Sequence, residues 1–141
     1  VGRGENAFDI YRRTCPVYQE EHSDIRRVEP YVYAQTVAAR ASYDEGAARN
    51  SWLTGTAAWT FVNISQYILG VKPTPAGLRI DPCLPGALEE YSVRRRYRGA
   101  AYHIHVVQTG TYSLSVDGEN VAGNLIPMKD GKKKYHVEVT V

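Results

Sequence analysis

The sequence is poor in cysteine and methionine, with two cysteines, Cys15 and Cys83, and one methionine among 141 residues. The cysteines form no CxxC pair and show no histidine at metal-ligand spacing, so neither a disulfide scaffold nor a structural zinc site is expected. We expect both to be free thiols in a reducing compartment, which favours a cytoplasmic protein.

Long apolar runs are also missing. No stretch approaches the roughly 20 apolar residues that span a bilayer, and the first five residues lack the pattern of a signal peptide. A membrane partner is therefore not expected. The chain has no initiator methionine and enters a helical pattern almost at once. We therefore expect it to be one piece of a longer polypeptide.

Lysine is absent from the first 70 residues, and the net charge of the whole chain is only +2. The basic runs that do occur, Arg94 to Arg96 and Lys132 to Lys134, are short. Alternating strand faces and a lysine-rich hairpin tip explain them more simply than a nucleic-acid surface does, because such a surface needs a strongly basic face with motif support. No nucleic-acid partner is expected.

The first half of the chain has helical periodicity. Apolar side chains recur at helical spacing over residues 5–14, and Pro16 favours a stop there. Residues 31–39 have the pattern of a second helix that follows Pro30, and residues 57–70 that of a largely buried helix ending at a glycine. The charged residues 18–27, including His22, are typical of a solvated connector.

Gln35 is the unusual residue of the second predicted helix. Its neighbours one turn away are Tyr31, Val32, Ala38 and Ala39, so an amide buried there needs hydrogen-bond partners. From these neighbours alone, Gln35 is either a structural hydrogen-bonding residue or a ligand contact.

The second half of the chain alternates apolar and polar residues, which is typical of half-buried strands. Turn signals separate the runs, and we expect an antiparallel sheet with hairpins, one of them turning at residues 98–99. The five strand-like runs are residues 78–81, 91–97, 101–107, 111–116 and 135–141.

The third of these runs has two different faces. Alternation puts Tyr102, Ile104 and Val106 on one face and His103 and His105 on the other. A His-x-His pair on a strand can bind a metal ion, but no third ligand is evident, so no metal site is expected.

Residues 50–59 carry a polar, hydroxyl-rich turn directly into the apolar helix. Thr54 or Thr56 is the expected N-cap, and Gly55 between them allows a ligand to approach the backbone. The start of a helix offers unpaired N–H groups and the positive end of the helix dipole. The turn is therefore either an ordinary structural cap or a seat for a phosphate or carboxylate.

Several segments together resemble the C-terminal part of the inverting disaccharide phosphorylases, the cellobiose, cellodextrin and chitobiose phosphorylase family. The resemblance covers almost the whole chain in order. The segments are RRTCP at residues 12–16, VEPYVYAQ at 28–35, RNSWLTGTAAW at 49–59, QYILG at 66–70, IDPCLP at 80–85, and VDG at 116–118 with GN at 123–124.

This resemblance implies a fold of the α+β class, as a fragment of a multidomain protein. Residues 1–72 would be the last helices of an (α/α)6 catalytic barrel, and residues 73–141 a C-terminal antiparallel β-sandwich of jelly-roll type. The first partner of this chain would then be the rest of the same polypeptide. The family also implies that the whole protein is a homodimer.

The family's chemistry implies that inorganic phosphate attacks a β-linked glucose disaccharide, most readily cellobiose, and inverts the anomeric carbon to give α-glucose 1-phosphate. By resemblance, Thr54 and Gly55 are phosphate-binding and Gln35 is substrate-binding. The general-acid Asp, and the Arg and His that share the phosphate, would lie upstream. The resemblance thus assigns no catalytic residue, cofactor or metal to this chain, which alone would be inactive.

An alternative function is that of a non-catalytic carbohydrate-binding or scaffolding module. The chain has 11 tyrosines, and aromatic faces stack on sugars. In this case the sheet would carry the function through Tyr91, Tyr97, Tyr102 and Tyr112.

Overall fold

The computed structural model describes residues 2–141. The chain folds as two compact units, Arg3–Ile64 and Ser65–Val141. Helices and irregular segments dominate the first unit, and β-strands dominate the second.

The first unit opens with helix α1, Gly4–Thr14, which confirms the first predicted helix. Glu5 in its first turn and Arg12 and Arg13 in its last turn complement the helix dipole. The helix ends before Pro16, as predicted. The charged connector that follows consists of a 3-10 helix, Pro16–His22, and one short α-helical turn, α2, Ser23–Arg26.

The predicted helix over residues 31–39 is wrong. The segment is extended or turned, and its only regular element is the short strand β1, Thr36–Val37, which pairs antiparallel with β2, Ala48–Arg49. Around this ladder the N–H of Ala38 donates to the carbonyl oxygen of Ala47 at 2.9 Å. Non-local backbone bonds therefore replace the i to i−4 bonds of a helix, in a segment whose tyrosine and valine residues also suit extended backbone.

The apolar helix forms where the sequence predicts it, but it is not largely buried. Helix α3 is Thr56–Val62, and a π-helical turn, Asn63–Ile68, follows it. Trp59 is 74% exposed and Phe61 61% exposed, whereas Ile68 is only 2% exposed. The periodicity correctly marks an apolar stripe, but the described residues of this chain leave most of it uncovered.

The second unit contains two sheets. Their strands are β3, Val71–Thr74; β4, Gly77–Ile80; β5, Glu90–Tyr97; β6, Ala100–Val107; β7, Ser113–Val116; β8, Glu119–Asn120; β9, Leu125–Pro127; and β10, Lys134–Thr140. The larger sheet has the strand order β5-β6-β10-β7-β8, and the smaller sheet has the order β3-β4-β9.

All five predicted strand runs are confirmed within a residue or two, and so is the β5–β6 hairpin. Its two turn residues, Arg98 and Gly99, both have positive φ, 45° and 79°, which suits the twist of a two-residue hairpin.

The expected antiparallel sheet is only partly correct, because β10 runs parallel to β6 from Lys134 opposite Ala101 to Thr140 opposite Val107. Three short strands lie between β6 and β10 in the chain, so β10 reaches its place by a crossover instead of a hairpin. Strand β3 was not expected, since it contains Pro73; it lies at an edge of its sheet, where proline is tolerated.

The core of the second unit lies on one face of β6 and β10. Tyr102, Ile104 and Val106 are buried, as their alternation predicts. The ring of Tyr102 stacks on that of Tyr135 in the neighbouring strand, with centroids 4.5 Å apart. Leucine and isoleucine from the smaller sheet complete the same cluster.

Gly70 is required by the backbone that surrounds it. Its φ is +67°, and a Cβ there would lie 2.2 Å from the carbonyl carbon of Asp81. Gly118 has a similar φ of +86°, but a Cβ there would meet no atom within 4 Å. A comparison of alanine substitutions at the two glycines therefore distinguishes the free-energy cost of a left-handed backbone from the cost of a steric clash.

We predict that Gly118→Ala lowers the free energy of unfolding by about 1 kcal/mol, the cost of the left-handed conformation. Gly70→Ala should cost about 3 kcal/mol more, because the backbone near Asp81 must move. Urea denaturation of the two variants measures the difference. Equal losses would show that the close approach at Gly70 contributes nothing.

Candidate functional site

The three residues that the sequence analysis singles out all lie in the first unit. Gln35 directly precedes β1, and Thr54 and Gly55 directly precede α3. The ladder of β1 with β2 joins them, because β2 ends at Arg49, five residues before Thr54.

The turn before α3 is capped by a threonine hydroxyl, but not in the predicted way. Gly55, not Thr54 or Thr56, occupies the N-cap position, and its carbonyl oxygen accepts the first helical bond, from the N–H of Trp59 at 3.0 Å. Thr54 still contributes, since its Oγ1 accepts the N–H of Thr56 at 3.1 Å. The Oγ1 atoms of Thr54 and Thr56 are 2.7 Å apart and share one more hydrogen bond.

Thr54 and Gly55 open onto a cavity of about 500 Å³. Hydroxyl groups dominate the polar part of its lining, and no lysine, arginine or histidine is among its lining residues. The cavity therefore offers hydrogen-bond donors for an anion without a full positive charge. The lining residues are Ile10, Tyr11, Thr14, Thr54, Gly55, Thr56, Trp59, Thr60 and Asn63.

Tyr11 supplies one of those hydroxyls in its protonated form. Its oxygen lies 3.8 Å from Sγ of Cys15, and the interaction with this side chain together with burial raises the pKa of Tyr11 to about 12. At neutral pH the phenol is therefore a hydrogen-bond donor, not an anion that would repel a phosphate.

A second cavity, of about 570 Å³, carries the positive charge that the first one lacks. Arg13, His22 and Arg26 line it together with Glu45, and Thr56 lines both cavities. His22 is exposed, as predicted for a surface residue of the connector. The 3-10 helix and α2 also bring it to the same cavity as the two arginines.

Gln35 lies at neither cavity but is tied to the loop that leads to Thr54. The Nδ2 group of Asn50 donates to Oε1 of Gln35 at 2.9 Å, and the backbone N–H of Gln35 donates to the carbonyl oxygen of Arg49 at 3.1 Å. The amide is exposed. Its partners come from a facing segment, and the helix predicted around Gln35 does not form.

The loop between Asn50 and Gly55 is strained and braced. Asn50 and Trp52 both have positive φ, 55° and 69°, which is uncommon for asparagine and a clear outlier for tryptophan. The indole Nε1–H of Trp52 donates to Oε1 of Glu29 at 3.0 Å, and its ring meets that of Tyr31 edge-on. These contacts hold the tryptophan in the left-handed conformation. Sequence reasoning missed the roles of Asn50, Glu29 and Trp52.

The second unit carries its histidines on the neighbouring strands β6 and β10. His105 faces Glu138 at 2.9 Å, and the rings of His103 and His136 lie 5.4 Å apart, but within residues 2–141 no group of three His, Cys, Asp or Glu side chains could hold a metal ion. Both cysteines are free thiols, as predicted. None of the described helices is long and apolar enough to cross a membrane.

The tyrosines named for the alternative function make contacts within the fold. Tyr102 is only 1% exposed, so it cannot stack on a sugar. The hydroxyls of Tyr91, Tyr97 and Tyr112 donate to the carbonyl oxygens of Leu69, Thr74 and Ile80, at 2.6, 2.6 and 2.8 Å. The geometry therefore does not support a sugar-binding face built from these four side chains.

The Trp52–Glu29 bond should depend on pH. The indole N–H lowers the pKa of Glu29 below its ordinary value of 4.5. A depressed pKa means that the bond is fully present above the ordinary value and is lost as the pH falls through the lower, folded value. We predict that the indole N–H resonance of Trp52 moves with a midpoint below 4.5.

The measurement is an NMR titration of ¹⁵N-labelled protein, with the two indole signals assigned by Trp59→Phe. Glu29→Gln keeps an oxygen acceptor but cannot titrate, so it should abolish the movement. A Trp52 signal that still titrates in Glu29→Gln would contradict the assignment.

Comparison with known proteins relates the first unit and much of the second to carbohydrate enzymes. Residues 1–70 match the catalytic domain of the glycosyl hydrolase 94 superfamily, and residues 72–122 match the C-terminal domain of glycosyl hydrolase family 65. The two matches meet directly before β3.

Three of the curated relatives are phosphorylases of disaccharides. The chain is 36% identical to the N,N'-diacetylchitobiose phosphorylase of Vibrio proteolyticus over 99% of its own length and 18% of that protein. It is 36% identical to the solabiose phosphorylase of Paenibacillus borealis over 99% of its length and 19% of that protein. A third relative, also from Paenibacillus borealis, is 3-O-beta-D-glucopyranosyl-beta-D-glucuronide phosphorylase, 33% identical over 99% of this chain and 19% of that protein.

The chain thus spans about a fifth of the length of these relatives. Each match covers 99% of this chain and therefore spans both segments of the candidate site. The chain belongs to the disaccharide phosphorylase family.

Proposed function

We propose that this chain forms one wall of the active site of a phosphorylase that cleaves a β-linked glucose disaccharide with inorganic phosphate. The observation that carries the proposal is the helix start at Thr54 and Gly55, which opens onto a cavity lined with hydroxyl donors. A dianion placed there would receive hydroxyl donors and the field of a helix N-terminus.

In the proposed reaction an oxygen of phosphate attacks the anomeric carbon while a carboxylic acid protonates the departing sugar oxygen, and inversion gives α-glucose 1-phosphate. One protein carboxyl suffices, because phosphate replaces the base-activated water of an inverting hydrolase. We place that general-acid Asp outside these 141 residues. The chain alone would then be inactive, and no cofactor is needed.

We assign Thr54 and Gly55 to phosphate and Gln35 to the sugar at the donor subsite. Thr54 Oγ1 accepts the N–H of Thr56. With the Thr56 hydroxyl as the donor of the bond between the two hydroxyls, the proton of Thr54 is directed to a phosphate oxygen. Gln35 is exposed and keeps its amide nitrogen available, since the contact with Asn50 uses its oxygen.

We further propose that residues 1–72 are the last helices of an (α/α)6 barrel and residues 73–141 a C-terminal β-sandwich. The exposed stripe of α3 supports the first part, because apolar side chains as large as Trp59 and Phe61 gain roughly 1.5 to 3 kcal/mol each on burial. The remaining barrel helices of the same polypeptide would cover them. We also propose that the whole protein is cytoplasmic and forms a homodimer.

Cellobiose is the substrate we would test first. The substrates for which the relatives are named extend the panel to N,N'-diacetylchitobiose, solabiose and a glucosyl-glucuronide. The full-length protein should release a sugar 1-phosphate from at least one of these β-linked disaccharides when phosphate is present, and not when it is absent. No phosphorolysis of any of them would contradict the proposal.

Thr54→Val in the full-length protein should raise the KM for phosphate. The loss of a hydrogen bond to a charged group costs about 1.5 to 3 kcal/mol, which corresponds to roughly a 10- to 150-fold increase. Steady-state kinetics at saturating disaccharide measure the effect.

Thr54→Ser is the matched control, since it keeps the hydroxyl and should retain a KM within a few-fold of the unmodified enzyme. An unchanged phosphate KM in Thr54→Val would remove Thr54 from the phosphate site.

A further inference from the structure

The side chains of Gln35 and Asn50 form a hydrogen bond that has a direction. Nδ2 of Asn50 donates, and Oε1 of Gln35 accepts, at 2.9 Å. A glutamine amide has one acceptor oxygen and one donor nitrogen with two hydrogens. Because the oxygen is engaged by Asn50, the group that Gln35 presents to the remaining space is its NH₂.

The backbone fixes both partners of this bond. The N–H of Gln35 donates to the carbonyl oxygen of Arg49, the residue directly before Asn50, at 3.1 Å. Asn50 itself has a φ of 55°, a conformation that asparagine tolerates better than most residues. The two amides therefore face each other because the ladder of β1 and β2 places their backbones side by side.

We propose that Asn50 is a positioning residue that sets the amide of Gln35 as a hydrogen-bond donor toward the sugar. The inference rests on the proposed function, and it specifies the chemistry of the contact: Gln35 requires an acceptor oxygen on the donor sugar, a hydroxyl or an acetamido carbonyl. Asn50 touches neither the sugar nor the phosphate and acts through Gln35.

The direction of the bond allows a sharp test, because two substitutions of Asn50 have opposite consequences. In Asn50→Asp the carboxylate can only accept, so Gln35 must turn its NH₂ toward residue 50 and present its oxygen to the sugar. In Asn50→Gly the backbone conformation is kept and the amide is free to take either orientation.

We expect activity to follow the order Asn, then Gly, then Asp. In the full-length protein, kcat/KM for the disaccharide should fall by roughly 3- to 10-fold in Asn50→Gly and by about 10- to 100-fold in Asn50→Asp. The smaller loss corresponds to a weakened hydrogen bond to the sugar, and the larger to a lost bond together with repulsion between two acceptor oxygens. A role confined to holding the loop together predicts Asn, then Asp, then Gly, since aspartate retains a bond to Gln35.

Two further measurements test the proposal: the effect of Asn50→Asp when Gln35 is already replaced, and the separate KM values for the disaccharide and for phosphate. In a Gln35→Ala background, Asn50→Asp should have little further effect on kcat/KM, because the group through which it acts is gone. The KM for phosphate should change less than the KM for the disaccharide. Asn120→Asp, which adds the same charge at an exposed position of β8, is the matched control and should leave both values unchanged.

Several results would overturn the proposal. These are an activity of Asn50→Asp above that of Asn50→Gly, an equal effect of Asn50→Asp with and without Gln35, or a loss confined to the phosphate KM. An unmodified enzyme that neither binds nor phosphorolyses any disaccharide would instead overturn the proposed function and this inference with it. Calorimetric titration of the disaccharide without phosphate distinguishes the two cases.

Discussion

The pairing of β1 with β2 is the constraint on which the candidate site depends. Only two residue pairs form this ladder, Thr36 with Arg49 and Val37 with Ala48. It nevertheless sets Gln35 beside Asn50, although they are 15 positions apart. It also fixes the starting point of the loop that carries Thr54 and Gly55 to α3. Without the ladder, the segments that we propose to bind the sugar and the phosphate would have no common geometry.

The loop after the ladder has a strained backbone, and side-chain hydrogen bonds hold it in that conformation. Two non-glycine residues, Asn50 and Trp52, adopt positive φ within three positions, and each of them makes a side-chain hydrogen bond to the facing segment. Strain of this kind persists where the surroundings determine the backbone, and it is concentrated at functional sites. The hydrogen bond from Trp52 to Glu29 and the one from Asn50 to Gln35 therefore have the same role, which is to fix the conformation of this loop.

Local patterns predicted much of the chain and failed at particular places. Helix α1, the hairpin at Arg98 and Gly99, and the buried face of β6 follow from periodicity and turn chemistry, which act between near neighbours. Residues 31–39 resembled a helix because their apolar spacing fits one, yet their hydrogen bonds go to residues 47–49. The parallel arrangement of β6 and β10 was missed for a related reason, since alternation is the same in parallel and antiparallel strands.

What the sequence by itself determined was the set of candidate site residues: Thr54 and Gly55 at a hydroxyl-rich helix start, and Gln35 in a second segment. The membership of the disaccharide phosphorylase family also followed from those segments and agrees with the comparisons. Only the tertiary structure decided that Gly55 is the N-cap, and that Asn50 engages the oxygen of Gln35. A hydrogen bond between distant residues depends on the path of the backbone between them, and no local pattern encodes that path.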